Sequence, residues 1–166
     1  MLKLRPYKPC DAGTILTWIQ NEREFRLWTA DRYDHYPITA EDMNRHYDSF
    51  RDSDAFWAMT AYDEDGVAGH LIMRFTDEAK KHLRFGFIIV DASRRGKGYG
   101  SKMLRMAIRY ATEFLGVEKI TLGVFENNPA AYRCYQSVGF QEGAEPSWCD
   151  LMGERWKCLE LEYLVE

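Results

Sequence analysis

No stretch of this 166-residue sequence reaches the 18 or so consecutive apolar residues that a membrane span requires, and its first residues read as a strand rather than a secretory leader. A cytoplasmic protein with no membrane partner is therefore expected. Cysteine is scarce: Cys10, Cys134, Cys149 and Cys158 stand far apart, with no C-x-x-C pair. That spacing argues against a disulfide framework or a zinc site, so reduced thiols and no metal are expected. A basic excess is also lacking. The formal net charge is −4, which offers nucleic acid no general electrostatic face. There is no internal repeat and no dividing linker, and at this length a single domain over residues 1–166 is expected.

What is present is the composition of a folded chain, 46% hydrophobic and 14% aromatic. Leu2 and Leu4 begin a short strand that ends at Pro6. Asp11 stands where it can cap a helix from Ala12 to about Gln20, with Ile15, Leu16 and Ile19 on one face. Asn21 to Pro37 then mixes acids and aromatics with no clean period. Thr39-Ala-Glu-Asp starts another helix, to about Arg51. Ala55–Tyr62, Val67–Phe75 and Leu83–Val90 read as three strands of an antiparallel meander, and Gly86 inside the third marks a bulge or a close ligand.

A long helix follows from about Gly98, with Met103, Leu104, Ala107, Ile108, Ala111, Phe114 and Leu115 at helical spacing. Ile120, Leu122 and Val124 alternate as a strand. Asn128-Pro129 opens a helix to Val138, a strand lies near Phe140, and a last strand runs from Arg155 to Val165. The order predicts an α/β (α+β) fold. An exposed edge on the last strand would allow a homodimer.

The segment Ile88 to Ser101, Ile-Ile-Val-Asp-Ala-Ser-Arg-Arg-Gly-Lys-Gly-Tyr-Gly-Ser, joins the meander to the long helix. Backbone N–H groups of a tight turn and of the first helical turn lack partners there, and the helix dipole adds roughly half a positive charge. Arg94, Arg95 and Lys97 add full charges, while glycines at 96, 98 and 100 let a phosphate approach the backbone. Neither the Lys-Ser/Thr ending of a nucleotide P-loop nor G-x-G-x-x-G spacing is present. Alone, the turn indicates an anion cradle or a ligand-free, glycine-rich helix entry.

A second motif follows: Asn128-Pro-Ala-Ala-Tyr-Arg-Cys-Tyr-Gln-Ser-Val-Gly-Phe140. With it the chain resembles the GNAT superfamily of acetyl-CoA-dependent N-acyltransferases. Arg95-Gly-Lys-Gly98-Tyr-Gly100 is similar to that family's pyrophosphate loop, and Asn128, Ala131, Tyr135, Gly139 and Phe140 fall at the spacing of its later helix and strand. The resemblance implies a central mixed, mostly antiparallel sheet of six or seven strands with about four helices, opened into a V-shaped cofactor cleft. It also implies acetyl-CoA as cosubstrate. The backbone of Ile88, Ile89 and Val90 would pair with pantetheine. Arg95, Gly96, Lys97, Gly98, Tyr99, Gly100 and Ser101 would hold the pyrophosphate, Asn128 and Ala131 would adjoin the pantetheine, and Tyr135 would face the sulfur as the catalytic group. Tyr132 would pack or wall the cofactor.

The same resemblance exposes two departures. Many members place a glutamate where this chain has Arg84, and ribosomal-protein N-terminal acetyltransferases place one where it has Gly123. His82, His70, Glu126 and the Glu22/Glu24 pair remain as candidate bases, with a water chain as a further route. Trp28, Tyr33, Tyr36, Trp148 and Trp156, together with Glu22, Glu24, Asp31, Asp34 and Asp150, are candidates for the acceptor pocket; ordinary core aromatics and solvated acids are the alternative. The expected reaction is acetyl transfer to a primary amine of a small molecule. Peptide N-terminal acetylation and a non-catalytic CoA-binding module are the alternatives.

Overall fold

The computed structural model describes residues 1–166. In chain order the elements are β1 (Lys3–Pro6), α1 (Asp11–Leu16), α2 (Glu22–Thr29), α3 (Ala40–Asp48), β2 (Phe56–Asp63), β3 (Gly66–Phe75) and β4 (His82–Val90). After a 3-10 turn (Ala92–Arg94) come α4 (Tyr99–Glu113), β5 (Lys119–Phe125), α5 (Pro129–Ser137), β6 (Gln141–Glu142), β7 (Ser147–Leu151) and β8 (Glu154–Leu164). No helix is long and apolar enough to cross a membrane.

The strands form one eight-stranded sheet in the order β1-β2-β3-β4-β5-β8-β6, with β7 also paired to β8. Every pairing is antiparallel except β4 with β5. One more strand and one more helix are present than the sequence pattern suggested. β7 joins β8 through a tight turn at Met152 and Gly153, both with positive φ. The last strand is not an edge: β5 covers one side of β8, and β6 and β7 cover the other. The expected edge for a second copy is therefore absent.

Two cores lie on opposite faces of the sheet. One packs Met103, Leu104, Ala107 and Ala111 of α4 against Leu71, Met73, Leu83, Phe85, Ile120 and Leu122. The other packs Ile15, Phe25, Met43 and Tyr47 of the first three helices against Ile72, Phe87 and Ile89. A single residue changes which face β4 serves. Ile72 is the register partner of Gly86 and His70 that of Ile89, so two residues of β4, Phe87 and Ile88, stand opposite Leu71 alone. Phe87 takes φ +46°, uncommon outside glycine. Side chains alternate along a strand, so the extra residue reverses the pattern. Leu83 and Phe85 enter the α4 core, whereas Phe87 and Ile89 enter the other. The bulge expected near Gly86 is thus centred one residue later.

The helix α2 lies where no clean period is visible, because eight residues span barely two turns. Its local signals are nonetheless present. The Asn21 side chain accepts from the Glu24 N–H, and Phe25 and Thr29 are buried at i and i+4. Thr39 and Asp42 form the expected reciprocal capping box on α3. Phe114, expected on the apolar face of the long helix, falls just past its end and is exposed.

Asp11 also departs from expectation, since Cys10 takes the N-cap position of α1. Asp11 is instead 2% exposed and accepts from Arg5 Nη1 and Nη2 (2.8 and 2.9 Å), the Lys8 N–H (2.9 Å) and Thr60 Oγ1 (2.9 Å). Burial raises its pKa, but the bonds from Arg5, Lys8 and Thr60, with the Arg5 charge, outweigh that and leave the carboxyl below its ordinary value. A depressed folded pKa contributes stability above the unfolded value and loses it as pH falls through the folded one. Urea unfolding should show Asp11→Ala costing about 3 kcal/mol at neutral pH, because a largely buried guanidinium loses its partner. The gap between the two proteins should shrink as pH drops below about 4.

Candidate active site

Three residue pairs join β4 to β5: His82–Lys119, Leu83–Ile120 and Arg84–Thr121. Beyond them the two strands diverge, and the space between them becomes a cleft of about 660 Å³. The Asp91 N–H donates to the Ala68 carbonyl on the β3 side. Backbone groups alternate in direction along an antiparallel strand, so Ile88 and Val90 turn theirs to the side that β5 has left. The Val90 carbonyl there accepts from Arg95 Nε at 3.2 Å.

At the mouth of the cleft the chain makes its glycine-rich turn. Asp91 caps the 3-10 turn through bonds from the Ser93 N–H and Oγ, both 2.9 Å. Gly96 and Gly98 have φ +76° and +84°, and Gly98 is the N-cap of α4. Gly100 has a different reason to lack a side chain. A Cβ there would come within 3.2 Å of Cys134 Sγ, so it lets α5 sit against the start of α4.

The three cations of the turn do different work. Arg94 is bound to Asp63 at 2.8 Å and lies over the ring of Tyr99, whose hydroxyl donates to the same carboxylate at 3.1 Å. The bond from Arg94 is the main reason that the Asp63 carboxyl sits below its ordinary pKa. Arg94 therefore ties the turn to the β2–β3 hairpin and is not a free charge. Arg95 and Lys97 are exposed.

Every candidate from Ile88 to Ser101 named above lines the cleft except Lys97, and so do Asn128, Ala131 and Tyr135. Asn128 caps α5, its side chain accepting from the Ala131 N–H at 3.4 Å. Tyr135 is buried on α5, and its hydroxyl has no hydrogen-bond partner within the protein. Burial, reinforced by neighbouring Cys134, pushes its phenol well above the ordinary pKa. Cys134 faces Ser101, with Sγ 3.7 Å from Oγ. Tyr132 points away, donating to Glu142 at 3.1 Å.

The far wall comes from α2 and its approach: Ile19, Glu24, Leu27 and Trp28. Glu24 is the single carboxylate among the lining residues, and its Oε2 accepts from the Gln20 N–H at 2.9 Å. Trp28 lies against Phe87 with the two rings tilted at 51°, and its indole N–H has no partner. The other candidates for this end are elsewhere. His70 is fully buried, 2.6 Å from the Tyr47 hydroxyl, and desolvation lowers its pKa to about 3. Glu126 is largely exposed near Lys157, and His82 and Glu22 do not line the cleft. Tyr33, Tyr36 and Trp156 pack in cores, and Trp148 is exposed beside Arg155. Arg84 pairs with Glu160 in two bonds of 2.8 and 3.1 Å, close to the bare face of Gly123. Of the acceptor-pocket candidates, Glu24 and Trp28 line the cleft; Ile19 and Leu27 beside them, and the helix α2, were not foreseen, although Asn21 followed by Glu24, Phe25 and Trp28 signals that helix.

A family profile described as the acetyltransferase (GNAT) family matches residues 17–140. The chain is 36% identical over 100 residues to a spermine/spermidine N(1)-acetyltransferase of Bacillus subtilis, covering 60% of this chain and 56% of that protein. It thus spans a little over half the length of that relative. Over 98 residues it is 29% identical to an L-amino acid N-acetyltransferase of Escherichia coli, 58% of this chain and 60% of that one. The crystal structure of spermidine N-acetyltransferase from Vibrio cholerae, in complex with CoA and spermine, shares the fold. Its TM-score is 0.83 at 21% identity, covering 98% of this chain and 95% of that one.

The left-handed conformation at Gly98 has a direct test. Gly98→Ala should destabilise the protein by about 1–2 kcal/mol in urea unfolding, since a Cβ disfavours that region. Gly98→Asn should recover most of the loss, because asparagine tolerates it.

Proposed function

Because the chain belongs to the acetyltransferase (GNAT) family, we propose that it transfers the acetyl group of acetyl-CoA to a primary amine of a small molecule, by direct attack in a ternary complex. One observation carries the reading. The unpaired edge of β4, the glycine cradle and the partnerless Tyr135 hydroxyl all open into the same cleft. An extended pantetheine arm would add to that edge as a strand does, through Ile88 and Val90. The diphosphate would lie on the amides from Arg95 to Ser101, with Arg95 and Lys97 as its countercharge. Asn128, held as a cap, and Ala131 would adjoin the arm.

The chemistry needs a neutral amine, a polarised carbonyl and a stabilised thiolate. Tyr135 is the donor to the thiolate. A phenol near 10 protonating a thiolate near 8.5 is uphill by about 2 kcal/mol, and burial raises the phenol further. It therefore acts by hydrogen bonding, with proton transfer late or shared. Cys134 lines the cleft too, at its glycine-turn end with Sγ 3.7 Å from Ser101 Oγ, and direct transfer needs no acyl-cysteine. Glu24 receives the proton of the incoming ammonium, directly or through water. Deprotonation at pH 7 costs about 4.6 kcal/mol for an alkylamine near 10.4 and about 1 for an α-amine near 7.8. One partly exposed carboxylate suits the latter.

Thiol release from acetyl-CoA across small amines and peptides tests the whole. Small-amine turnover supports it; turnover on peptides alone, or tight CoA binding with none, overturns it. Tyr135→Phe should lower kcat by roughly 10²-fold with the KM for acetyl-CoA little changed. Glu24→Gln should lower kcat/KM by roughly 10²-fold at neutral pH. That deficit should narrow as pH rises through the pKa of the amine, where the substrate arrives already neutral.

A further inference from the structure

Two arginines face each other across β3 and β4. Arg74 and Arg84 are register partners, and both lie on the face of the first three helices, since Met73, Leu83 and Phe85 beside them enter the α4 core. Like charges directly opposite in an antiparallel ladder destabilise it. Arg84 is compensated by its two bonds to Glu160, and a third reaches Thr121 Oγ1 at 3.3 Å. Arg74 is partly buried, with no ion pair and no side-chain hydrogen bond. Burial, then the charges of Arg84 and Arg32, pushes its pKa down, and no acid offsets them. Within the folded chain this guanidinium has no partner.

The pair borders the acceptor end of the cleft. Gly86, next on that face of β4, and Gly123, across the divide on β5, both line it. Neither has a side chain to close the gap. A Cβ at Gly123 would stand 3.0 Å from Arg84 Nη2, so the guanidinium lies directly behind that cleft-lining glycine, while neither arginine is itself part of the cleft lining. Arg84 spends three of its five N–H groups on Glu160 and Thr121 and keeps two, while Arg74 keeps all five. Glu160 and Thr121 also fix the plane of the Arg84 fork, which suits a carboxylate. Arg32 is a more distant cation, exposed with Asp31 and Asp150 around Cys149, and is not part of the pair.

We propose that Arg74 and Arg84 form a subsite for a carboxylate on the acceptor, and that the acceptor is an amino acid rather than a polycation. This rests on the acetyl-transfer reading above. With Glu160 neutralising Arg84, the unpaired Arg74 leaves the pair with a net positive charge, which disfavours a polycation and favours a carboxylate.

The test compares each L-amino acid with the matching amino alcohol as acceptor, whose ammonium has a similar pKa, and spermidine with both. The free acids should exceed the alcohols by at least tenfold in kcat/KM, mainly through KM. In Arg74→Met that ratio should fall to near one, and Arg74→Lys should restore part of it. The Arg74→Met protein should melt no lower than wild type, because a like-charge contact has gone; a structural role would lower it. Equal rates for acids and amino alcohols, or spermidine as the best acceptor, overturn the subsite. Calorimetric titration of the CoA-bound protein with the same acids separates the two readings. Acids that bind wild type but not Arg74→Met, without any turnover, leave the subsite standing and remove the transfer. Turnover of amines with no preference for acids does the reverse, and neither binding nor turnover removes both.

Discussion

Beyond Arg84 and Thr121 the hydrogen bonds between β4 and β5 stop, and the backbone groups of β4 face a cleft instead of a neighbouring strand. Buried backbone donors and acceptors are almost always paired, so an open edge inside a sheet has to be held by its surroundings. Two features hold it. The antiparallel pairing with β3 continues to Val90 on one side, and β8 takes the whole of β5 on the other. The bulge at Phe87 then lets one strand serve both cores, closing the α4 core below it and the α1–α3 core above. Without that reversal, Phe87 and Ile89 would point at the start of α4.

The turn after β4 depends on a division of labour among similar residues. Arg94 is consumed by Asp63 and Tyr99, which anchors the turn to a hairpin distant in sequence. That anchoring leaves the amides from Gly96 to Ser101 fixed in place before any ligand arrives. A preorganised donor array costs little further ordering when an anion settles on it. On the proposed reading, charge attracts the diphosphate and geometry receives it.

Much of this was legible in the sequence, and for reasons that can be named. The cradle and the Asn128–Phe140 helix show because they rest on glycines and a cap at fixed spacing, which are local. The meander and α4 show because their periods run for several repeats. The helix α2 stayed hidden because two turns give period-finding little to count, although Asn21 and Glu24 mark its start. The roles of Asp11 and Arg94 were misjudged for a different reason. Each is defined by a partner far along the chain, Arg5 with Thr60 for one and Asp63 for the other. The pairing of Arg84 with Glu160 is hidden in the same way, as 76 residues separate them. Sequence spacing reports neighbours within an element, and these contacts are made between elements.

The open edge of β4 offers main-chain groups, and main-chain groups are the same whatever residue carries them. Substitution along Ile88–Val90 can alter packing, but it cannot delete an N–H or a carbonyl unless it introduces proline. The opposite wall is built from side chains: Ile19 on the approach to α2, and Glu24, Leu27 and Trp28 on the helix itself. Each can be exchanged singly without disturbing the backbone that lines the other half. One half of the cleft is therefore buffered against mutation and the other is exposed to it; on the proposed reading, a lineage built on this scaffold can change its acceptor while inheriting its donor.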